Sequence, residues 1–119
     1  MNEGELLAWH YATRQPVLLR WADGKIVELA TTTEQPPRDR WIAPPLVDLQ
    51  VNGYAGIDFQ QDDLTTDALL QAVRALHRDG CGRFLLTLIS DEWPRLMARL
   101  GHLRRLRETS AELRHAIAG

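Results

Sequence analysis

Asp48, Gln50 and Asn52 follow one another at a spacing of two in the run LVDLQVNG. In an extended strand, residues at that spacing point to one side, so these polar groups share a direction opposite to Val47, Leu49 and Val51. A carboxylate beside amides can hold water, a polar ligand or the surroundings of a metal ion. Facing an interior without such partners, they would cost free energy. Gln50 and Asn52 fall at the C-terminal end of the strand, directly before the turn-rich stretch NGYAG. Barrel enzymes carry their sites at that end of their strands. Amides also cap loop backbone well, and the spacing alone leaves both uses open.

Other side chains capable of chemistry are scattered. His10 falls in a strand-like run, whereas His77, His102 and His115 fall in helical ones. No pair stands at i, i+4 with a carboxylate, the arrangement that makes a metal site on a helix. Cys81 is the single cysteine. It excludes an internal disulfide, suits a reducing compartment and reads as a small buried residue between two glycines. The arginines between Arg95 and Arg114 alternate with leucines and lie near Glu108 and Glu112, the pattern of a solvated helix face.

The elements that must position Gln50 and Asn52 can be read from periodicity. Leu6 to Tyr11, Val17 to Trp21 and Ile26 to Leu29 read as short strands, broken by a Gln15-Pro16 turn and an Asp23-Gly24 hairpin signal. The polar stretch TTTEQPPRDR, Thr31 to Arg40, reads as a surface loop. From Trp41 onward the order becomes strand, helix, strand, helix. Thr65 or Thr66 caps a helix to about Arg78 with Leu69, Leu70, Val73 and Leu76 on one stripe, and Asp79-Gly80 stops it. FLLTLI, Phe84 to Ile89, reads as a strand covered on both faces. Ser90 or Asp91 is expected to cap a long helix with Pro94 in its first turn, burying Leu96, Met97, Leu100, Leu103 and Leu106. Ser110 caps a further turn, and residues 116–119 begin another strand. The alternation predicts βαβ units and a parallel sheet. The predicted organisation is a small sheet region with its linker over residues 1–40 and β/α units over residues 41–119.

The chain has 119 residues, 45% hydrophobic and 25% charged, the balance of a soluble globular protein. A formal net charge of −2 gives no reason to expect nucleic acid or an anionic membrane as partner. The start MNEGELLAWHY carries acid where a signal peptide carries base. No stretch approaches the ~20 consecutive apolar residues that span a bilayer. A cytoplasmic, soluble protein is expected.

PPLVDLQVNGYAGIDF, followed downstream by DGCGRFLLTLIS, resembles the N-terminal part of the N-acetylglucosamine-6-phosphate deacetylases of the amidohydrolase superfamily. The resemblance extends to the ADGKIVEL hairpin and covers essentially the whole chain. It implies strands of a small β-sandwich followed by the start of an α/β, TIM-type (β/α)8 barrel. Such a barrel takes about 250 residues, so an incomplete barrel is expected. Two departures bear on local geometry: the family usually has Pro-Gly where Pro44-Pro45 stands, and a Thr near Gly82 with a Pro at Leu86.

The superfamily commonly carries His-x-His where this chain has Gln50-Val51-Asn52. Neutral amides are poor ligands for zinc-type ions. The resemblance therefore implies that Gln50 and Asn52, with Gly53 in the adjoining loop, form the rim of a site with one divalent metal, zinc or similar. The metal ligands and the catalytic residues would lie outside these 119 residues. The resemblance further implies an N-terminal fragment of a metal-dependent hydrolase acting on an amino sugar phosphate, inactive and without a metal by itself, and homo-oligomeric. Two alternatives stand beside it: another amidohydrolase acting on a different N-acyl or cyclic amide, and a non-catalytic, self-associating module.

Overall fold

A computed structural model describes residues 2–119, which divide into a unit ending at Pro44 and a unit from Pro45 to Gly119. In the first, β1 (Glu3–His10), β2 (Pro16–Ala22), β3 (Lys25–Thr31) and β4 (Trp41–Ile42) make one sheet in the order β3-β2-β1-β4. Asp23 and Gly24 close the β2–β3 hairpin with φ of 51° and 74°, the paired left-handed conformation that suits a two-residue turn to the twist of its strands. Between β1 and β2 the chain reverses before Pro16, with Arg14 at φ 57°; Pro16 itself starts β2. Ala8 and Val17 are the buried residues of this sheet. The rings of Trp9 and Trp41 lie 6.1 Å apart, and their indole N–H groups donate to Pro37 O and Arg38 O, each at 3.1 Å.

Trp41 and Ile42 pair in parallel with Trp9 and His10. Their backbone therefore belongs to the first sheet, and the division falls four residues later than the boundary expected between 40 and 41, at Pro44 and Pro45.

The second unit contains β5 (Leu46–Val51), β6 (Gly53–Tyr54), β7 (Ile57–Asp58), α1 (Thr66–Arg78), β8 (Cys81–Leu86), α2 (Trp93–Glu108) and α3 (Ala111–Ala116). β5 and β8 pair in parallel, as the strand–helix–strand alternation requires. Past α3 the chain returns to β8: Ile117 bridges Phe84 in parallel, Ala118 N–H donates to Phe84 O, and Leu86 N–H donates to Gly119 O, both at 2.9 Å.

α1 is built as its sequence dictates. Thr65 Oγ1 accepts from Ala68 N–H at 3.1 Å, a cap that contributes about 1 kcal/mol. Leu69, Ala72, Val73, Ala75 and Leu76 are buried. All of these but Ala75 pack with Val51, Phe59, Phe84, Leu103, Leu106, Leu113 and Ile117 in one core, where Phe59 and Phe84 stack with ring centroids 6.1 Å apart. Ser110 caps α3 through Leu113 N–H at 3.4 Å.

Four expectations are corrected. β8 starts at Cys81 and ends at Leu86, so Thr87, Leu88 and Ile89 lie in the loop beyond it. Parallel pairing with β5 begins at Cys81, and the open turn at Gly80 leaves room for it. The strand is not covered equally on both faces: Phe84 is buried, whereas Leu85 is 37% exposed. α2 takes Glu92 as N-cap without a side-chain bond. Asp91 binds Arg99 and Arg95 instead, and Ser90 lies outside the helix. Of the stripe expected on α2, Leu103 and Leu106 are buried, whereas Met97 and Leu100 are exposed, since the core reaches only the C-terminal half of the helix.

Candidate functional site

The C-terminal end of β5 is irregular for a reason local to its sequence. Asp48 Oδ1 accepts from Gln50 N–H at 3.0 Å, taking that donor out of the ladder. The register with β8 shifts between Asp48 and Val51 accordingly. A bulge of this kind re-aims side chains at a strand end. Gln50 and Asn52 are both exposed, and neither side-chain amide has a hydrogen-bond partner among the described residues. Neither caps loop backbone.

Directly after β5, β6 and β7 form a small hairpin over the strand end. Its turn is Ala55-Gly56, at φ 50° and 79°. Gly53 is required by close approach, since a Cβ there would sit 2.7 Å from Ile57 O. The hairpin is tied down twice: Phe59 N–H donates to Asn52 O at 3.2 Å, and the Tyr54 hydroxyl donates to Asp79 Oδ2 at 2.6 Å. The carboxylate holding the phenolic proton pushes the Tyr54 pKa above the ordinary tyrosine value, with partial desolvation adding to the shift.

An open cleft of about 620 Å³ lies here, lined by Asn52, Gly53, the hairpin residues to Asp58, Gln60 and Ile89. Its size is that of a small-molecule site. Asn52 and Gly53 are brought together in it; Gln50 is not among its lining residues. Asp58 and Gln60 are lining groups that the two-residue spacing did not single out, because they reach the cleft only through the hairpin. The Thr87 hydroxyl, just past β8, is buried without a partner among the described residues.

Amide and carboxylate groups on an open wall can hydrogen-bond a hydroxylated or amide-bearing ligand. They do not fit a divalent metal. Gln50 and Asn52 are neutral, and no group of three or more His, Cys, Asp or Glu side chains able to hold an ion occurs among the described residues. Three of the four histidine rings are hydrogen-bonded elsewhere. His10 Nδ1 accepts from Ala12 and Thr13 N–H, His77 Nε2 meets Gly82 O at 3.2 Å, and His102 Nε2 meets Leu64 O at 2.7 Å, while His115 lies on α3. Cys81 is buried. No helix among the described residues is long and apolar enough to cross a membrane.

No protein-family model and no curated protein matches the chain. In fold it is similar to a deacetylase of known structure. That protein is the N-acetylglucosamine-6-phosphate deacetylase from Pasteurella multocida, whose crystal structure superposes with a TM-score of 0.63 at 17% identity. The match covers 92% of this chain and 32% of the other, so the chain spans about a third of the length of the protein it resembles. A mixed α/β fold with a small sheet unit is what the two share.

Proposed function

We propose that these residues are the N-terminal part of a metal-dependent hydrolase related to N-acetylglucosamine-6-phosphate deacetylase, and that β5 and β8 are the first strands of its barrel. The observation that carries this reading is the fold likeness over 92% of the chain; an open cleft at Asn52 and Gly53, beyond the C-terminal end of β5, supports it, since barrel enzymes carry their sites at that end of their strands. On this reading Asn52 lines the cleft and hydrogen-bonds substrate or water, while Gln50 belongs to the rim of the complete site without lining this cleft. The ligands of a divalent metal and the group that moves the proton come from residues outside these 119. The substrate class is an amino sugar phosphate, the location cytoplasmic and the assembly a homo-oligomer.

Two measurements test it. The 119-residue chain is expected to bind no stoichiometric zinc and to release no acetate from N-acetylglucosamine 6-phosphate. A chimera in which this chain replaces the matching N-terminal part of the Pasteurella multocida enzyme is expected to release acetate. Turnover by the chain alone, or a folded chimera with no turnover, would overturn the assignment.

A second reading, a self-associating module without catalysis, is favoured by one observation. Leu46, Val47 and Leu49 on β5 are 62% to 70% exposed, apolar side chains on a strand whose outer edge is unpaired.

A further inference from the structure

The loop that leaves β8 has no regular structure from Thr87 to Glu92, yet it forms part of the cleft wall through Ile89. At Ile89 it is held by one side chain across the cleft. Gln60 Nε2 donates to Ile89 O at 3.0 Å, and Gln60 Oε1 accepts from Ile89 N–H at 2.9 Å. The amide thus pairs with a backbone unit as a neighbouring strand would. Only an amide of this length does so: a glutamate accepts but cannot donate, a leucine does neither, and an asparagine is a methylene shorter.

The same segment is held on both sides of Gln60. Phe59 is buried against Phe84 and its N–H reaches Asn52 O, while Gln60 N–H donates to Asp58 Oδ1 at 2.9 Å. Two residues on, Asp62 Oδ1 accepts from Arg99 Nε at 2.9 Å, and Arg99 also binds Asp91 in the loop beyond β8. The two loops are therefore latched at the Gln60–Ile89 pair and again through Arg99. Asn52, Asp58, Gln60 and Ile89 all face one cleft.

We propose that Gln60 is a positioning residue of this cleft, joining the loops after β7 and β8 so that Asn52 and Ile89 stand at a fixed separation for a ligand. The inference rests on the reading that the cleft is the ligand site. Gln60→Leu and Gln60→Glu in the 119-residue chain test it, with amide hydrogen exchange read at Ile89 and Phe59 and N-acetylglucosamine 6-phosphate titrated against the Asn52 and Gly53 amide resonances. Losing both bonds in Gln60→Leu should speed Ile89 exchange about tenfold with the unfolding midpoint unchanged. Phe59 exchange should rise with it, and probe affinity should fall. Gln60→Glu keeps the accepting half and should lie between. Unchanged Ile89 exchange overturns the proposal, as does faster exchange with unaltered probe affinity. If the wild-type chain does not bind the probe, the ligand reading fails separately. The positioning role is then decided at Phe59, where faster exchange upholds it and unchanged exchange overturns it.

Discussion

Tyr54 and Asp79 show how a single hydrogen bond fixes the hairpin beside the cleft. The phenol is the donor and the carboxylate the acceptor, so the bond exists only while Tyr54 keeps its proton. Folding raises the Tyr54 pKa. Its contribution is therefore fully present below the pKa of an unfolded tyrosine and is lost as pH rises through the higher folded value. The chain has two tyrosines. In an absorbance titration the component above the ordinary tyrosine range should vanish in Tyr54→Phe, and the alkaline fall in melting temperature should flatten with it. A Tyr54→Phe variant that keeps the late component would remove Asp79 as the cause. The bond was not legible in the sequence, because it joins β6 to the end of α1, 25 residues away. The place of Asn52 directly after β5, by contrast, was legible in the sequence. The limit of that reading lies at Asp48, whose bond to Gln50 N–H competes locally with the ladder and breaks the two-residue alternation.

Elements came through where one face alone decides them. α1 has a threonine cap, a single apolar stripe and a glycine stop, and all three coincide with its observed bounds. α2 is apolar on more than one side, so its sequence does not say which stripe meets the core, and the stripe from Met97 to Leu100 stays outside. The start of β8 was hidden for a related reason: Cys81, Gly82 and Arg83 have no strand-like pattern, and what places them is pairing with β5. Gly82 and Pro45 belong together in that pairing. A Cβ on Gly82 would stand 2.7 Å from Pro45 Cβ and 2.9 Å from its Cγ, so the proline ring uses the space a side chain at 82 would need. Gly82→Ala should cost about 1–3 kcal/mol by overpacking. In a Pro45→Gly background the same substitution should cost less, with a coupling on the order of 1 kcal/mol in a denaturant double-mutant cycle. Additive losses would show that the two positions do not share the space.

At the scale of the whole molecule, what matters is apolar surface that the second unit leaves uncovered. Parallel sheets are as a rule buried on both faces, because their crossovers lay helices over them. Here β5 keeps Val47 and Leu49 exposed, and α2 keeps Trp93, Met97 and Leu100 exposed at i, i+4 and i+7. Both are faces that a further strand or helix would cover. The unpaired edge of β5 adds free backbone donors and acceptors, the usual template for pairing with another chain. On its own in solution the 119-residue chain should therefore associate through β5. Sedimentation velocity should show a concentration-dependent increase in mass. Val47→Lys with Leu49→Lys should reduce it, since charge on an exposed edge opposes strand addition while removing no buried contact. The variant should keep its circular dichroism, because both positions already face water. A wild-type chain that stays monomeric at every concentration would mean that these faces tolerate water. Association untouched by the two lysines would move the contact to the exposed stripe of α2, where Met97→Lys would then be the substitution that dissolves it.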